Sequence, residues 1–295
     1  MDVEMKIQEP INRVTRKQKL KNYSKHPGSF LLALLTKLAI LLTVLALGFI
    51  LIYILVKGIP NLSTDLFVLK YTTENVSMLP AIINTLIITV LSLCIAGPIG
   101  IFSAIYLVEY AKKGNKLVEV VRVTAETLTG IPSIVYGLFG MLFFVTTLKC
   151  GYSLLAGALT LSIMVLPVIM RTTEEALLAV PNSFREGSFG LGAGKLRTIF
   201  KIVLPSAVPG ILAGVILAIG RMVGETAALI YTAGTVAEIP SSIMSSGRTL
   251  AIHMYSLSKE GLYTDQAYAT AVVLLIVVVL INMLSNFVAK KFTKK

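Results

Sequence analysis

Long apolar runs without polar alternation are the main pattern along this chain. Only helices and closed barrels satisfy their backbone inside a bilayer, and a barrel strand would alternate, so the runs predict α-helices. About 20 apolar residues span the hydrocarbon core as a helix. Six runs are long enough, and they cover residues 30–56, 79–107, 125–147, 152–170, 204–233 and 267–288.

Composition supports the same class. The 295 residues are 55% hydrophobic and 14% charged, and the mean hydropathy is +0.82. The sequence therefore predicts an all-α integral membrane protein with six transmembrane helices. We expect a cytoplasmic tail over residues 1–29, a first transmembrane helix over 30–56 and a main domain of five helices over 79–290. The polar segment before the first run is too long for a cleaved signal peptide.

The distribution of charge predicts the orientation. The net charge is +12. If the N-terminus is cytoplasmic, the tails and loops on that side carry twenty Lys and Arg residues, whereas the opposite loops carry five. This is the asymmetry of the positive-inside rule, so both termini are expected in the cytoplasm. The basic balance therefore reports orientation and does not indicate a nucleic-acid partner.

The stretch GLGAGKL at residues 190–196 resembles a phosphate-binding loop, but it lacks the required residues. A P-loop has Gly, four residues, then Gly-Lys and a hydroxyl residue. Leu196 stands in the hydroxyl position, and Phe189 stands where the first glycine belongs. Lys195 also replaces the third glycine of a dinucleotide-binding pattern. The glycines are therefore expected to serve something other than nucleotide binding.

Residues 171–203 form the longest predicted cytoplasmic connection. Thr172 or Thr173 can cap a first short helix that Pro181 ends, and a second helix follows. Apolar residues with helical spacing then give one face, and these are Leu191, Leu196, Ile199 and Phe200. The pattern predicts a compact pair of short helices that either docks into a partner or rests on the membrane surface.

One spacing in this loop resembles a known motif. The residues are Glu186, Gly187 and Ser188, then after three residues Gly192, and after nine more Ile202, Leu204 and Pro205. This is similar to the E-A-A-x3-G-x9-I-x-L-P loop of ABC importer permeases, with Gly187 and Ser188 in place of the two alanines. The resemblance implies a type I ABC importer permease core, whose coupling helix seats in a separate ATPase subunit. ATP and Mg²⁺ would bind that partner, and this chain would bind no cofactor.

Two further stretches resemble the phosphate-importer permeases. They are GIPSIVYGLFG at residues 130–140 and GRMVGETA at 220–227, and residues 228–233 resemble the A-type subunit. Many A-type chains carry proline where Ala228 stands. The resemblance implies a heterodimer with a C-type sister permease, two copies of a cytoplasmic ATPase and an extracytoplasmic phosphate-binding protein, in a bacterial or archaeal cell membrane. Sulfate and molybdate importers stay open as alternatives, because one arginine does not distinguish these oxyanions.

Arg221 and Glu225 are the charged residues in the outer half of the fifth predicted span. An arginine at the bilayer centre costs about 3 kcal/mol. On a continuous helix, residues four apart share a face, and a guanidinium suits a phosphate oxyanion. We expect the pair to form a weak anion station or gate in a central cavity. In two alternatives, the span ends near Gly220 and leaves Arg221 at the outer surface, or the pair bridges to the sister permease.

Two other functional classes fit the sequence less well. A secondary transporter would need inverted repeats or several paired intramembrane charges, which the sequence does not contain. An intramembrane enzyme would need a histidine or nucleophile cluster at depth, and both His26 and His253 lie outside the predicted spans. The outer loop at residues 234–267 is expected to meet the binding protein, with His253 as a solvated loop residue.

Overall fold

The structure is a computed structural model that describes residues 27–112 and 114–293, without the side chains of residues 288–293. Most of the expected tail at residues 1–29 therefore lies outside the described residues. The described part is helical and contains no strand. Its α-helices are α1 (Pro27–Gly58), α2 (Leu79–Ile105), α3 (Lys116–Thr129), α4 (Ser133–Gly140), α5 (Leu154–Leu178), α6 (Asn182–Gly190), α7 (Lys195–Thr198), α8 (Leu204–Val223), α9 (Ala227–Ile230), α10 (Leu250–Glu260) and α11 (Thr264–Thr293).

Three π-helical turns extend these helices. They are Tyr106–Tyr110 after α2, Met141–Thr147 after α4 and Ile199–Val203 between α7 and α8. Within the described residues, five helical segments are long and apolar enough to cross a membrane, and the count is six if one bent pair of helices is taken as a single span. The prediction of an all-α protein with six spans is confirmed on this count.

The bent pair corrects the expected third span. Residues 125–147 were predicted as one helix, whereas α3 and the segment Ser133–Thr147 meet at 104°. Proline has no amide hydrogen to donate and disfavours helical backbone in the residue before it, so Pro132 ends α3 and α4 starts in a new direction. The Tyr136 hydroxyl donates to the Leu128 carbonyl at 2.7 Å and ties the two arms together.

The fourth and fifth spans also differ from prediction. The fourth helix continues to Leu178, so the expected short helix capped by Thr172 or Thr173 is wrong. Thr172 instead donates to the Val168 carbonyl at 2.8 Å, as an interior helical threonine does. The fifth span was predicted to run to residue 233, but α8 ends at Val223 and α9 follows after a break.

Contacts divide the chain into two units, one ending at Ile54 and one beginning at Leu55. In the second unit α5 is central and contacts α2, α3, α4, α8 and α9. Ser92 of α2 donates to the Ala158 carbonyl, and Ser162 of α5 donates to the Ser92 carbonyl, both at 3.1 Å. Gly210 on α8 lets α5 approach, because a Cβ there would lie 2.6 Å from the Ala176 Cβ.

Candidate functional site

The segment from α6 to the start of α8 contains every residue of the predicted coupling motif. Glu186, Gly187 and Ser188 lie on α6, and Gly192 follows its end. The nine residues between Gly192 and Ile202 form the end of the turn after α6, the helix α7 and the start of the π-helical turn Ile199–Val203. Ile202 lies in this π-helical turn. Leu204 and Pro205 then open α8, directly after the π-helical turn Ile199–Val203.

Gly192 has a specific backbone role. Its φ is +81°, in the left-handed region that favours glycine. The Gly192 amide donates to the Phe189 carbonyl at 2.9 Å, and the Ala193 amide donates to the Ser188 carbonyl at 3.1 Å. These two bonds form a Schellman motif, which satisfies the last carbonyls of α6 and reverses the chain. The glycine at this motif position is therefore required to end α6.

Two side-chain contacts fix α7 and the turn before it. The Ser188 and Thr198 hydroxyls are 2.8 Å apart and join α6 to the end of α7. The Lys195 ammonium lies 4.8 Å from the centroid of the Tyr110 ring, at the end of the π-helical turn that follows α2. The lysine of the GLGAGKL stretch thus serves packing within this chain.

Arg185 fastens α6 to the body of the protein. Its Nη2 and Nε atoms donate to Glu109 Oε1 at 2.7 and 3.1 Å. Its Nη1 and Nη2 atoms also donate to the carbonyls of Val180 and Leu177 at 2.8 and 2.9 Å. The side chains of Arg185 and Glu109 are 14% and 9% exposed, so the pair is largely removed from solvent. No local pattern in the sequence predicts this contact, because the partners are 76 residues apart.

The exposed surface of this segment is apolar over much of its area. Leu191, at the turn, is 91% exposed. Large apolar side chains around it are also exposed, and these are Phe184, Phe189, Leu196, Phe200 and Ile202. Gly187, in the motif's first alanine position, has no atom within 4 Å of where a Cβ would stand. An apolar patch of this kind with polar neighbours is typical of a protein-docking surface.

The structure separates Arg221 from Glu225. Arg221 lies in the last turn of α8, whereas Glu225 lies beyond the end of the helix. Glu225 is 9% exposed, and its Oε1 accepts from the Ala228 amide at 3.1 Å, which caps α9. No ion pair joins the two residues, both of which are described, so the expected shared helical face is wrong. The helix ends two residues after Arg221, close to where one alternative placed the end of the span.

His253 is not the solvated residue that the sequence suggested. Residues 250–260 form α10, and the His253 side chain is 0% exposed. Burial, together with the nearby charge of Arg248, lowers the pKa of His253 to about 3. The segment before α10 is also ordered, because the Leu154 and Leu155 amides of α5 donate to the Ser245 and Ile243 carbonyls at 3.1 and 2.9 Å.

Comparison with known proteins identifies the fold and the family. Residues 96–295 match the family described as "Binding-protein-dependent transport system inner membrane component". The chain is 36% identical to the "Phosphate transport system permease protein PstA" of Pasteurella multocida, over 87% of this chain and 92% of that one. It is 32% identical to the "Probable ABC transporter permease protein YqgI" of Bacillus subtilis, over 82% and 88%.

Solved structures support the same fold. A permease chain of a bacterial alginate ABC transporter superposes with a TM-score of 0.67 at 17% identity, over 92% of this chain and 98% of that one. A chain of the MetNI methionine ABC transporter in an inward-facing conformation superposes with a TM-score of 0.56 at 20% identity, over 82% and 98%. The chain therefore belongs to the binding-protein-dependent transport system inner membrane components, the permease subunits of ABC importers, which work with an ATPase, a substrate-binding protein and a second permease subunit.

Proposed function

We propose that this chain is one permease subunit of an ATP-driven importer of inorganic phosphate and forms half of its translocation path. The observation that carries the ATP-driven part is the segment around α6, with its Schellman turn at Gly192 and its exposed apolar surface around Leu191. The choice of phosphate is supported by the relatives, several of which are named phosphate transport system permease proteins.

The partners follow from the same proposal. A C-type permease would complete the path, two copies of a cytoplasmic ATPase would each receive one coupling loop, and an extracytoplasmic protein would deliver phosphate. In this chain, residues 79–290 would form the permease domain and residues 171–203 its coupling loop, with residues 1–29 as a cytoplasmic tail. The chain would bind no cofactor, because ATP and Mg²⁺ belong to the ATPase.

Coupling would proceed through rigid contacts of α6. Closure of the ATPase pair would draw the two coupling loops together and favour the outward-facing state over the inward-facing one. Arg185 joins α6 to Glu109, in the turn that follows α2. The π-helical turn Ile199–Val203 leads without a loop into α8, which carries Arg221 near its other end. A shift of α6 would therefore displace both helices.

Arg221 remains the proposed site of transient anion binding, but Glu225 is no longer proposed as its partner there. Among the described residues, Arg221 makes no hydrogen bond or ion pair and is only half-buried. An unpaired guanidinium at the end of a transmembrane helix suits a transient contact with an oxyanion. Glu225 would instead shape the break between α8 and α9, because its carboxylate is committed to the Ala228 amide.

The test is uptake of labelled phosphate in a strain that lacks this chain, with sulfate and molybdate measured in parallel. Wild type should restore phosphate uptake, whereas Glu186→Lys and Gly192→Asp should fail although the protein reaches the membrane. Loss and rescue of sulfate or molybdate uptake instead would keep the permease and replace the substrate. Rescue of phosphate uptake by both loop variants would remove the proposed role of α6.

A further inference from the structure

A buried polar cluster lies outside residues 171–203 and does not include Arg221. We call it the outer cluster, and it consists of Tyr71, Asn84, Arg248, Thr249 and His253. Four of these side chains are almost completely buried, with exposures of 0% for Asn84, 6% for Arg248, 1% for Thr249 and 0% for His253. Buried polar groups in proteins nearly always have hydrogen-bond partners, so this cluster calls for a physical explanation.

Arg248 presents two unused donors on one edge. Its Nε and Nη2 atoms are buried and make no hydrogen bond in the described structure. These two atoms form the edge of a guanidinium that can hold two oxygens of one anion. In Arg185 the same two atoms both donate to Oε1 of Glu109. The Tyr71 ring covers one face of Arg248 at 4.6 Å, but a ring face accepts no such pair of bonds.

Arg248 has no counter-ion within the described part of the chain. None of the ion pairs found there includes it. An isolated buried charge is strongly unfavourable unless it is paired and hydrogen-bonded. The fold nevertheless buries this residue, so its charge needs a partner from outside the described part of the chain.

The backbone around Arg248 is fixed by α2. The Arg248 amide donates to the Val236 carbonyl at 2.8 Å, and its carbonyl accepts from Asn84 Nδ2 at 3.2 Å. Two residues on, the Leu250 amide donates to Thr85 Oγ1 at 2.8 Å. Gly247 makes room for Asn84, because a Cβ there would lie 2.9 Å from its Nδ2. The backbone of Arg248 is therefore held in position, and the Tyr71 ring packs on its guanidinium.

The rest of the cluster offers both donors and acceptors. His253 meets the Tyr71 ring edge-on, with centroids 6.3 Å apart, and the backbone of Val76 lies close enough to hydrogen-bond its ring. Since burial and Arg248 lower its pKa to about 3, His253 is neutral and has one donor and one acceptor nitrogen. Thr249 Oγ1 and Asn84 Oδ1 are without partners. The cluster thus combines one positive charge with spare acceptors.

We propose that the outer cluster is a binding site for a singly charged, protonated tetrahedral oxyanion, namely dihydrogen phosphate, held on the Nε–Nη2 edge of Arg248. A monoanion neutralises the one guanidinium, whereas a dianion such as sulfate would leave a buried negative charge. The P–OH groups can donate to Asn84 and His253, and sulfate has no proton to donate. The choice of phosphate rests on the proposed function. The site would give this chain a second phosphate-binding residue, Arg248, in addition to Arg221.

The test uses the complete transporter, purified without binding protein or nucleotide and exchanged into phosphate-free buffer. Its unfolding temperature is measured against phosphate, sulfate and chloride at matched ionic strength. Phosphate should raise the midpoint of wild type saturably, and sulfate and chloride should not. Arg248→Gln should abolish the response. Lys259→Gln removes the same charge from an exposed position on α10 and should retain it.

A second variant keeps the site testable if the transporter with Arg248→Gln does not assemble. Arg248→Lys keeps the charge but loses the two-donor edge, so its phosphate affinity should fall about tenfold or more. The inference is overturned if wild type shows no phosphate response, if Arg248→Gln retains it, or if only Arg221→Gln removes it. None of these three outcomes contradicts the proposed function, which the uptake experiment tests separately. If uptake proves specific for sulfate, the proposed substrate and this site fail together.

Discussion

Replacing Arg185 with methionine tests how α6, part of the proposed coupling loop at residues 171–203, is attached to the rest of the chain. Methionine is similar in length and apolar, so it fills the space of the side chain while removing all four of its hydrogen bonds. Two of those bonds go to Glu109, and two go to the carbonyls of Val180 and Leu177. The substitution leaves the Glu109 carboxylate, which is 9% exposed, without its counter-ion.

The cost follows from this geometry. Removing one partner of a buried ion pair costs about 3–5 kcal/mol, and the small remaining exposure of both side chains favours the lower end. A cost of about 3 kcal/mol shifts the equilibrium between seated and detached α6 by roughly 100-fold. Arg185→Met combined with Glu109→Leu removes both charges, so it should be less damaging than Arg185→Met alone.

Hydrogen exchange and coupled transport measure the two consequences. Backbone amides of α6 should exchange up to about 100-fold faster in Arg185→Met, while those of α5 keep their wild-type rates. In liposomes, ATP-driven uptake should fall more than ATP hydrolysis, because the ATPase is intact but its motion no longer reaches α2. Arg171→Met is the matched control, since it breaks an exposed ion pair with Glu175.

Exposed pairs contribute only about 0.3–0.5 kcal/mol, so Arg171→Met should leave α6 exchange unchanged. The reasoning is refuted if Arg185→Met exchanges like wild type, or if Arg171→Met loosens α6 to the same extent. Equal damage from Arg185→Met and the double variant would show that the stranded Glu109 charge is not the source of the cost.

Three further predictions concern single sites. Gly192→Ala should reduce coupled uptake and weaken α6, because only glycine adopts its φ of +81° without strain, whereas Gly190→Ala, in the same open surroundings, should be tolerated. Since the folded pKa of His253 is about 3 and the unfolded value about 6.5, the folded state loses stability as pH falls below 6.5, by about 2 kcal/mol at pH 5. His253→Gln should remove that component from thermal unfolding curves, His26→Gln should not, and identical curves for wild type and His253→Gln would contradict the assignment. Arg221→Gln should lower phosphate uptake about tenfold and Arg221→Lys less, and normal uptake in both variants would end the proposal of an anion station.

The spans and the coupling motif could be predicted because both depend on local sequence. An apolar run of about 20 residues sets its own length in a bilayer, and the place of Gly192 follows from its spacing after Glu186. The bend before α4 was missed for a local reason, because Pro132 sits in an apolar run that hydropathy alone treats as continuous. Proline in a run of this kind deserves more weight than the surrounding hydrophobicity.

Long-range pairs were beyond the sequence. Nothing near Arg185 points to Glu109, and nothing near His253 shows that Tyr71 and Arg248 enclose it. The predicted pairing of Arg221 with Glu225 failed because helical spacing was extended across Gly224, where α8 has already ended. Spacing rules hold only while the helix continues. Because apolar residues follow Gly224, the end of this helix was predicted at residue 233, ten residues after its actual end at Val223.

α2 contacts both of the sites that these experiments address. Asn84, near one end, binds the Arg248 backbone, and the turn after the other end carries Glu109. Its 27 residues span about 40 Å at 1.5 Å per residue, and Pro98 is its one interior proline. Contact through one helix does not by itself show energetic coupling between the two sites. Coupling requires that α2 has two arrangements and that each site changes the balance between them. A double-mutant cycle of Arg185→Met and Arg248→Gln on uptake measures it: additive effects make the two sites independent, and a clear interaction energy makes α2 the element that joins them.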